Sequence, residues 1–184
     1  MVGVANFHFL MRDLAHEVDA GRMTDIEAAG KVAECIQKSL LCMHVTFWSV
    51  SGKVGQRVMR SVAAYDGTRN RAVAGAAVFP ESSGGFFNTL VESRCYVCAD
   101  TFADPHLQGV KDTMLVPFNI RALLAASYGG DSEVWGLITC TNDVVRKWRS
   151  AEVTALRKCA AEISTLLATR RVLGTSLSTG GFLE

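Results

Sequence analysis

Six cysteines, two of the four histidines (His44 and His106) and a handful of polar and aromatic residues carry whatever chemistry this chain can perform. Cys95 and Cys98 have the two-residue spacing of a zinc or redox pair. Zinc calls for a second pair or for two histidines, and a redox pair belongs at the start of a helix. Here Arg94-Cys-Tyr-Val-Cys-Ala99 reads as a strand, on which residues three apart point to opposite faces. No metal site is expected. The six cysteines lie mostly within apolar runs, the pattern of reduced, buried thiols rather than of a disulfide framework. A non-covalent site draws on other residues. Trp48 offers an aromatic platform, Thr139 and Thr141 offer hydroxyls, and Arg94, Asp100, Phe102 and His106 approach from one loop. Arg94 suits a carboxylate or phosphate, or equally an ordinary salt bridge. Asp104, directly before Pro105, is a helix cap rather than a ligand group.

These side chains need elements to place them. On a strand over 42–50, Val45 and Phe47 point one way and His44, Thr46 and Trp48 the other. A hairpin over 119–141 puts Thr139 and Thr141 on the face of Leu137, and Gly129-Gly130-Asp131 supplies the positive φ of its reversal. Upstream, Phe7, Leu10, Met11, Leu14 and Val18 recur at helical spacing until Gly21. Thr24 and Glu27 then form a capping box for a second helix with Ile26, Ala29, Ala33, Ile36 and Leu40 as its stripe. A return strand spans 56–64. Residues 67–93 are irregular, with a short helix over 86–93, and 114–118 is a short helix or an extended piece. Ser150 caps a last helix whose stripe is Val153, Leu156, Ala160, Ile163 and Leu167.

Strands joined mostly by tight turns make an antiparallel sheet, so the class is α+β, with long terminal helices on one face. Loops and short helices cover a pocket on the other face. Phe86, Phe87 and Phe102 could instead fill that pocket themselves, leaving a ligand-free structural module. The division is a helical extension over 1–22, a globular domain over 23–172 and a flexible tail over 173–184.

A net charge of +1 gives no electrostatic footprint for nucleic acid. With 49% apolar and 20% charged residues the chain is globular, and it has neither a basic leader nor an apolar run of spanning length. A soluble cytoplasmic protein without a membrane partner is expected.

The order and spacing of the segments around His44-Val-Thr-Phe-Trp48, Arg94 to Pro105, Ile120-Arg-Ala-Leu-Leu124, Val134 to Cys140 and Arg146-Lys-Trp148 resemble the GAF domain, a small-molecule sensory module of bacterial signalling proteins and phosphodiesterases. The likeness covers about residues 24 to 170. It implies a GAF/PAS-like sheet, an unknown small-molecule ligand, homodimerisation through the terminal helices and output to a separate effector. Subfamily signatures are missing. Phytochrome-like members continue the strand resembling 135–140 into a His pair and tether their bilin through Cys-His, whereas Thr141-Asn142 stand here, so a bilin is not expected. The Asn-Lys-x-x-Phe-x-x-x-Asp-Glu run of cyclic-nucleotide binders does not occur. Haem, with His44 or His106 as axial candidates, and a cyclic nucleotide both stay open. Some GAF domains reduce free methionine sulfoxide with pocket cysteines, and the resemblance makes that the enzymatic alternative to a sensor, with Cys95, Cys98 or Cys140 in the thiol's part.

Overall fold

The computed structural model describes residues 4–75, 77–81, 85–131 and 133–172; the tail expected over 173–184 lies outside them. Two helices come first. α1 (Val4–Asp19) ends where Gly21 turns left-handed at φ +68°. α2 (Asp25–Leu40) opens on the expected capping box, Thr24 Oγ1 accepting from the Glu27 N–H and the Glu27 carboxylate from the Thr24 N–H. Its buried residues are Gly30, Val32, Ala33, Ile36 and Leu40, while Ile26, placed on the stripe from its spacing, is 47% exposed. The buried residues of α2 begin at Gly30, so Ile26 in its first turn keeps the period of Ile36 without its burial.

The strands form one antiparallel sheet of seven. β1 (His44–Ser51) pairs with β2 (Val58–Asp66) on one side and with β7 (Val134–Asn142) on the other. β6 (Ala122–Gly129) pairs with β7, and the short β5 (Cys95–Cys98) closes that edge. At the opposite edge β3 (Arg71–Ala74) and β4 (Val78–Pro80) both pair with β2. These two strands lie inside the segment read as irregular. They are four and three residues long, the usual form of an edge, and too short to show alternation.

Between β4 and β5 the chain forms α3 (Phe86–Ser93), as its stripe of Phe86, Phe87 and Leu90 predicts. Arg94, expected as the first residue of the next strand, is instead the left-handed C-cap of α3 at φ +60°. Asp104 caps a 3-10 turn (Pro105–Val110) as its sequence predicts, accepting from the His106 N–H, and a π turn (Lys111–Leu115) leads to β6. The positive φ assigned to Gly129-Gly130 belongs instead to the β1–β2 turn, at Gly52 and Gly55. Gly129 is needed for another reason: a Cβ there would overlap the Glu133 carbonyl oxygen across the turn.

The last helix, α4 (Ser150–Val172), begins at Ser150, which is its first residue and not its cap. From inside the helix the Glu152 carboxylate reaches back to accept from the N–H of Arg149, the residue just before it, at 2.8 Å. α2 lies over β1 and β2, α4 over β6, and α1 packs across α2 and α4. Two cores result. The helical side joins Phe7, Leu14, Ile36, Leu40 and Leu156 to Val45, Phe47, Ile138 and Cys140. The other joins Trp48, Phe87, Leu90 and Leu107 to Leu123 and Leu137. The face assignment read from the β1 alternation therefore holds, and the expected α+β layering is the observed one. No described helix is long and apolar enough to cross a membrane.

Candidate functional site

The residues expected to line a pocket between sheet and insertion separate into four places. Trp48 and Thr139 meet in the core of that side, the indole N–H donating to Thr139 Oγ1 at 2.9 Å, and Thr141 is buried two residues further along β7. Asp100 and Phe102 sit at the sheet end, where Asp100 takes the Arg121 guanidinium at 3.1 Å and that guanidinium lies 4.5 Å from the Phe102 ring. His106 is exposed on the 3-10 turn. Arg94 is at the opposite end, donating to the carbonyls of Gly130 and Asp131 at 2.7 and 2.9 Å, so its guanidinium secures the β6–β7 turn.

The space expected for a ligand is occupied by side chains. Phe86, Phe87, Leu90, Leu107, Val110 and Leu115 are buried there against Trp48, Leu123 and Leu137. Its polar groups are internally paired as well: the Tyr96 hydroxyl donates to Asp104 at 2.8 Å, and burial with that carboxylate raises the phenol's pKa.

An open cavity lies on the other side of the sheet. About 760 Å3 in volume, it is bounded by Met11, Leu14, Ala15 and Val18 of α1, Ala28, Ala29 and Val32 of α2, and Ile163, Leu166 and Leu167 of α4. Phe47, Ser49, Ser51, Val62, Tyr128 and Val134 line it from the sheet. The volume is in the range of small-molecule sites. Gly52, Lys53, Val54 and Glu133 are its exposed lining residues, so it opens at the tips of the β1–β2 and β6–β7 hairpins.

Its origin is local and can be read in the residues. The helical core is filled at one end by Phe7, Ile36, Leu40 and Leu156. Toward the hairpin tips the facing positions become Ala15, Ala28, Ala29, Ser49 and Ser51, which are too small to meet across the layer. Tyr128 marks the floor. Its ring crosses Gly136 on β7, and its hydroxyl donates to the Trp48 carbonyl at 3.1 Å, where the pairing of β1 with β2 shifts register. Burial raises the Tyr128 pKa, so the phenol stays neutral. The sequence reading missed this set. The signal was a run of small residues at core-facing positions of three elements.

The profile of the GAF domain family matches residues 26–167. This chain belongs to the GAF domain family. Domains of this family are typically sensory rather than enzymatic. Among solved structures, the blue-light-absorbing form of the Thermosynechococcus elongatus PixJ GAF domain is similar at a TM-score of 0.66 and 19% identity, over 82% of this chain and 88% of that one. The phycocyanobilin-bound GAF domain of a cyanobacterial phytochrome gives 0.71 at 12% identity, over 91% and 97%. The GAF domain of an Acinetobacter phosphoenolpyruvate-protein phosphotransferase gives 0.61 at 10%, over 91% and 96%. At these identities the likeness is one of fold. A comparison with curated proteins finds no match.

The residues present do not fit a bilin. The cysteine on the insertion side, Cys98, is buried and its thiol pushed up to about 12 by burial and by Asp104. The surrounding space holds Phe87, Leu90 and Leu107. His44, one haem candidate, has its Nε2 3.3 Å from Asp66. Burial likewise raises the thiols of Cys95 and Cys140, the reverse of what a nucleophile needs. All six cysteines are free, and no group of His, Cys, Asp or Glu among the described residues could hold a metal.

Proposed function

We propose that this GAF domain is a cytoplasmic sensory module that holds a small molecule in the cavity beneath α1 and passes its occupancy to the terminal helices. The observation that supports this most strongly is the composition of the walls: all three long helices, including the first and last of the chain, line one cavity of about 760 Å3. A ligand there touches the output elements directly. An empty apolar space leaves its lining without dispersion partners, so filling it stabilises one arrangement of the helices. The six free cysteines accord with a reducing compartment.

We also propose that output passes through a second copy of the chain, paired across the outer face of the terminal helices, to a separate effector protein. Phe9 supports this choice, being 58% exposed on the outward side of α1. Nucleic acid and membrane are not part of this reading.

Native mass spectrometry of the freshly purified full chain, alone and as Ala29→Trp, tests both parts. The indole of the variant projects into the cavity and takes up ligand volume. A dimer whose retained small-molecule mass disappears in Ala29→Trp is expected. A monomer would contradict the pairing, and an adduct kept unchanged in the variant would place the ligand elsewhere.

A further inference from the structure

The cavity has a chemical character that points to its ligand, and the following step rests on the reading that it is a ligand site. Its roof lies outside the segment matched by the family profile. The family profile begins at residue 26, within α2, whereas α1 spans Val4–Asp19 and contributes Met11, Leu14, Ala15 and Val18.

The charged residues of the lining are Asp25, Lys53, Arg57 and Glu133, and Asp25, in the first turn of α2, is engaged with a partner of its own. Lys53 and Glu133 are exposed at the mouth, and Glu133 accepts from the Trp135 indole at 3.0 Å. Arg57 contributes to the wall, but its guanidinium is paired with Glu81 and lies 4.8 Å from the Phe87 ring, which belongs to the opposite core. The interior hydrogen-bonding groups are hydroxyls on the sheet floor. Ser51 has no partner among the described residues, Ser49 makes one long contact of 3.4 Å to the Arg60 carbonyl, and Tyr128 donates to Trp48 while its oxygen keeps an acceptor position free. An ionised group brought into this space would lose its hydration without gaining a counter-charge. A neutral hydroxyl or carbonyl would lose little, because the serines replace its water.

We propose that the cavity binds a neutral, lipophilic molecule bearing a single hydroxyl or carbonyl, the class of a medium-chain alcohol, ketone or ester, with its apolar body under α1 and its polar group at Ser49 and Ser51.

Calorimetric titration of the full chain with 1-decanol, decanoate and decyltrimethylammonium separates the alternatives. Decanol is expected to bind about tenfold or more tightly than either ion. The double variant Ser49→Ala/Ser51→Ala should weaken decanol about fivefold, the worth of one hydrogen bond, with unchanged unfolding. Ala15→Trp, from the roof, and Ala29→Trp, from the wall, should each abolish binding; using both guards against one failing to fold. Decanoate binding as tightly as decanol and lost in Lys53→Ala would overturn the neutral class in favour of an anionic amphiphile. Decanol binding that ignores both tryptophan variants would overturn the location. Decanol binding only after Phe182 and Leu183 are changed to serine would assign the space to the chain's own C-terminal segment. Failure of all three probes would remove the underlying reading of a ligand cavity, a result distinct from the wrong class.

Discussion

Gly136→Ala is expected to destabilise the domain by about 3 kcal/mol, through overpacking and a lost hydrogen bond. Gly136 lies between Ser49 of β1 and Tyr128 of β6 in the pairing of three adjacent strands. A Cβ at this position would overlap both the Trp48 carbonyl oxygen and the Tyr128 phenol. Neither can move cheaply. The carbonyl is fixed by the sheet where its register shifts, and the phenol by its 3.1 Å bond to that same carbonyl. For a chain of this size the loss corresponds to a fall in thermal midpoint of roughly 6–12 °C. Tyr128→Phe removes only the hydroxyl and should cost about 1 kcal/mol. In the double variant the hydroxyl overlap is gone, but the ring carbon that bore it and the Trp48 carbonyl still crowd the new Cβ, so its loss should fall only slightly below the sum of the single losses. Denaturant unfolding of the four proteins measures this. A wild-type midpoint for Gly136→Ala would mean that the three strands do not approach as described.

Glu152→Ala should cost about 3–5 kcal/mol, the range for breaking a buried ion pair on one side. The Glu152 side chain is 4% exposed and accepts from Arg146 Nη2 at 2.7 Å, Arg149 Nη2 at 2.9 Å and the Arg149 N–H at 2.8 Å. Arg146 in turn donates to the carbonyls of Leu40 and Leu41 and to Asn142, with its guanidinium 4.4 Å from the Trp148 ring. One carboxylate thus ties the start of α4 to the end of α2. Removing it leaves a largely buried guanidinium without its counter-charge, whereas Glu152→Gln keeps an acceptor and should cost less, about 2 kcal/mol. The pair also sets an acid limit. Burial acts to raise the Glu152 pKa, but the Arg149 N–H and the two guanidiniums outweigh it and hold the folded value below the ordinary one. A group depressed in this way contributes its stability fully above the unfolded carboxylate pKa of about 4.3 and loses it as pH falls through the folded value. Glu81, held down first by its bond to Arg57, adds in the same direction. Unfolding free energy should therefore fall below about pH 4.5, less steeply in Glu152→Gln. Parallel acid limbs in the two proteins would contradict the assignment.

Much of the fold is legible in the residues because its signals are local. The Thr24–Glu27 box, the Asp104-Pro105 cap, the α3 stripe and the two faces of β1 each depend on neighbours within a few positions. Errors occur where the deciding partner is distant. Ile26 matches the helical period, but whether it is buried depends on what lies opposite, and Ser150 has the chemistry of a cap while Glu152 supplies it from within the helix. β3 and β4 are recognisable only through their pairing with β2. The site shows the same limit more sharply. Alternation places Trp48 and Thr139 on one face correctly, yet it says nothing of whether Phe86, Phe87 and Leu90 will occupy the space above them. The open cavity arises because small residues on α1, α2 and β1 happen to oppose one another, a property of no single segment.

The central claim is that ligand is held under α1 rather than beneath the insertion. Hydrogen exchange of the full chain, followed peptide by peptide with and without saturating 1-decanol, tests it most directly. The account predicts slowed exchange in α1 and in the first half of α2, whose amide hydrogen bonds are locked when the cavity is filled, with 86–118 unaffected. Protection confined to 86–118 would contradict it and return the site to the opposite face of the sheet.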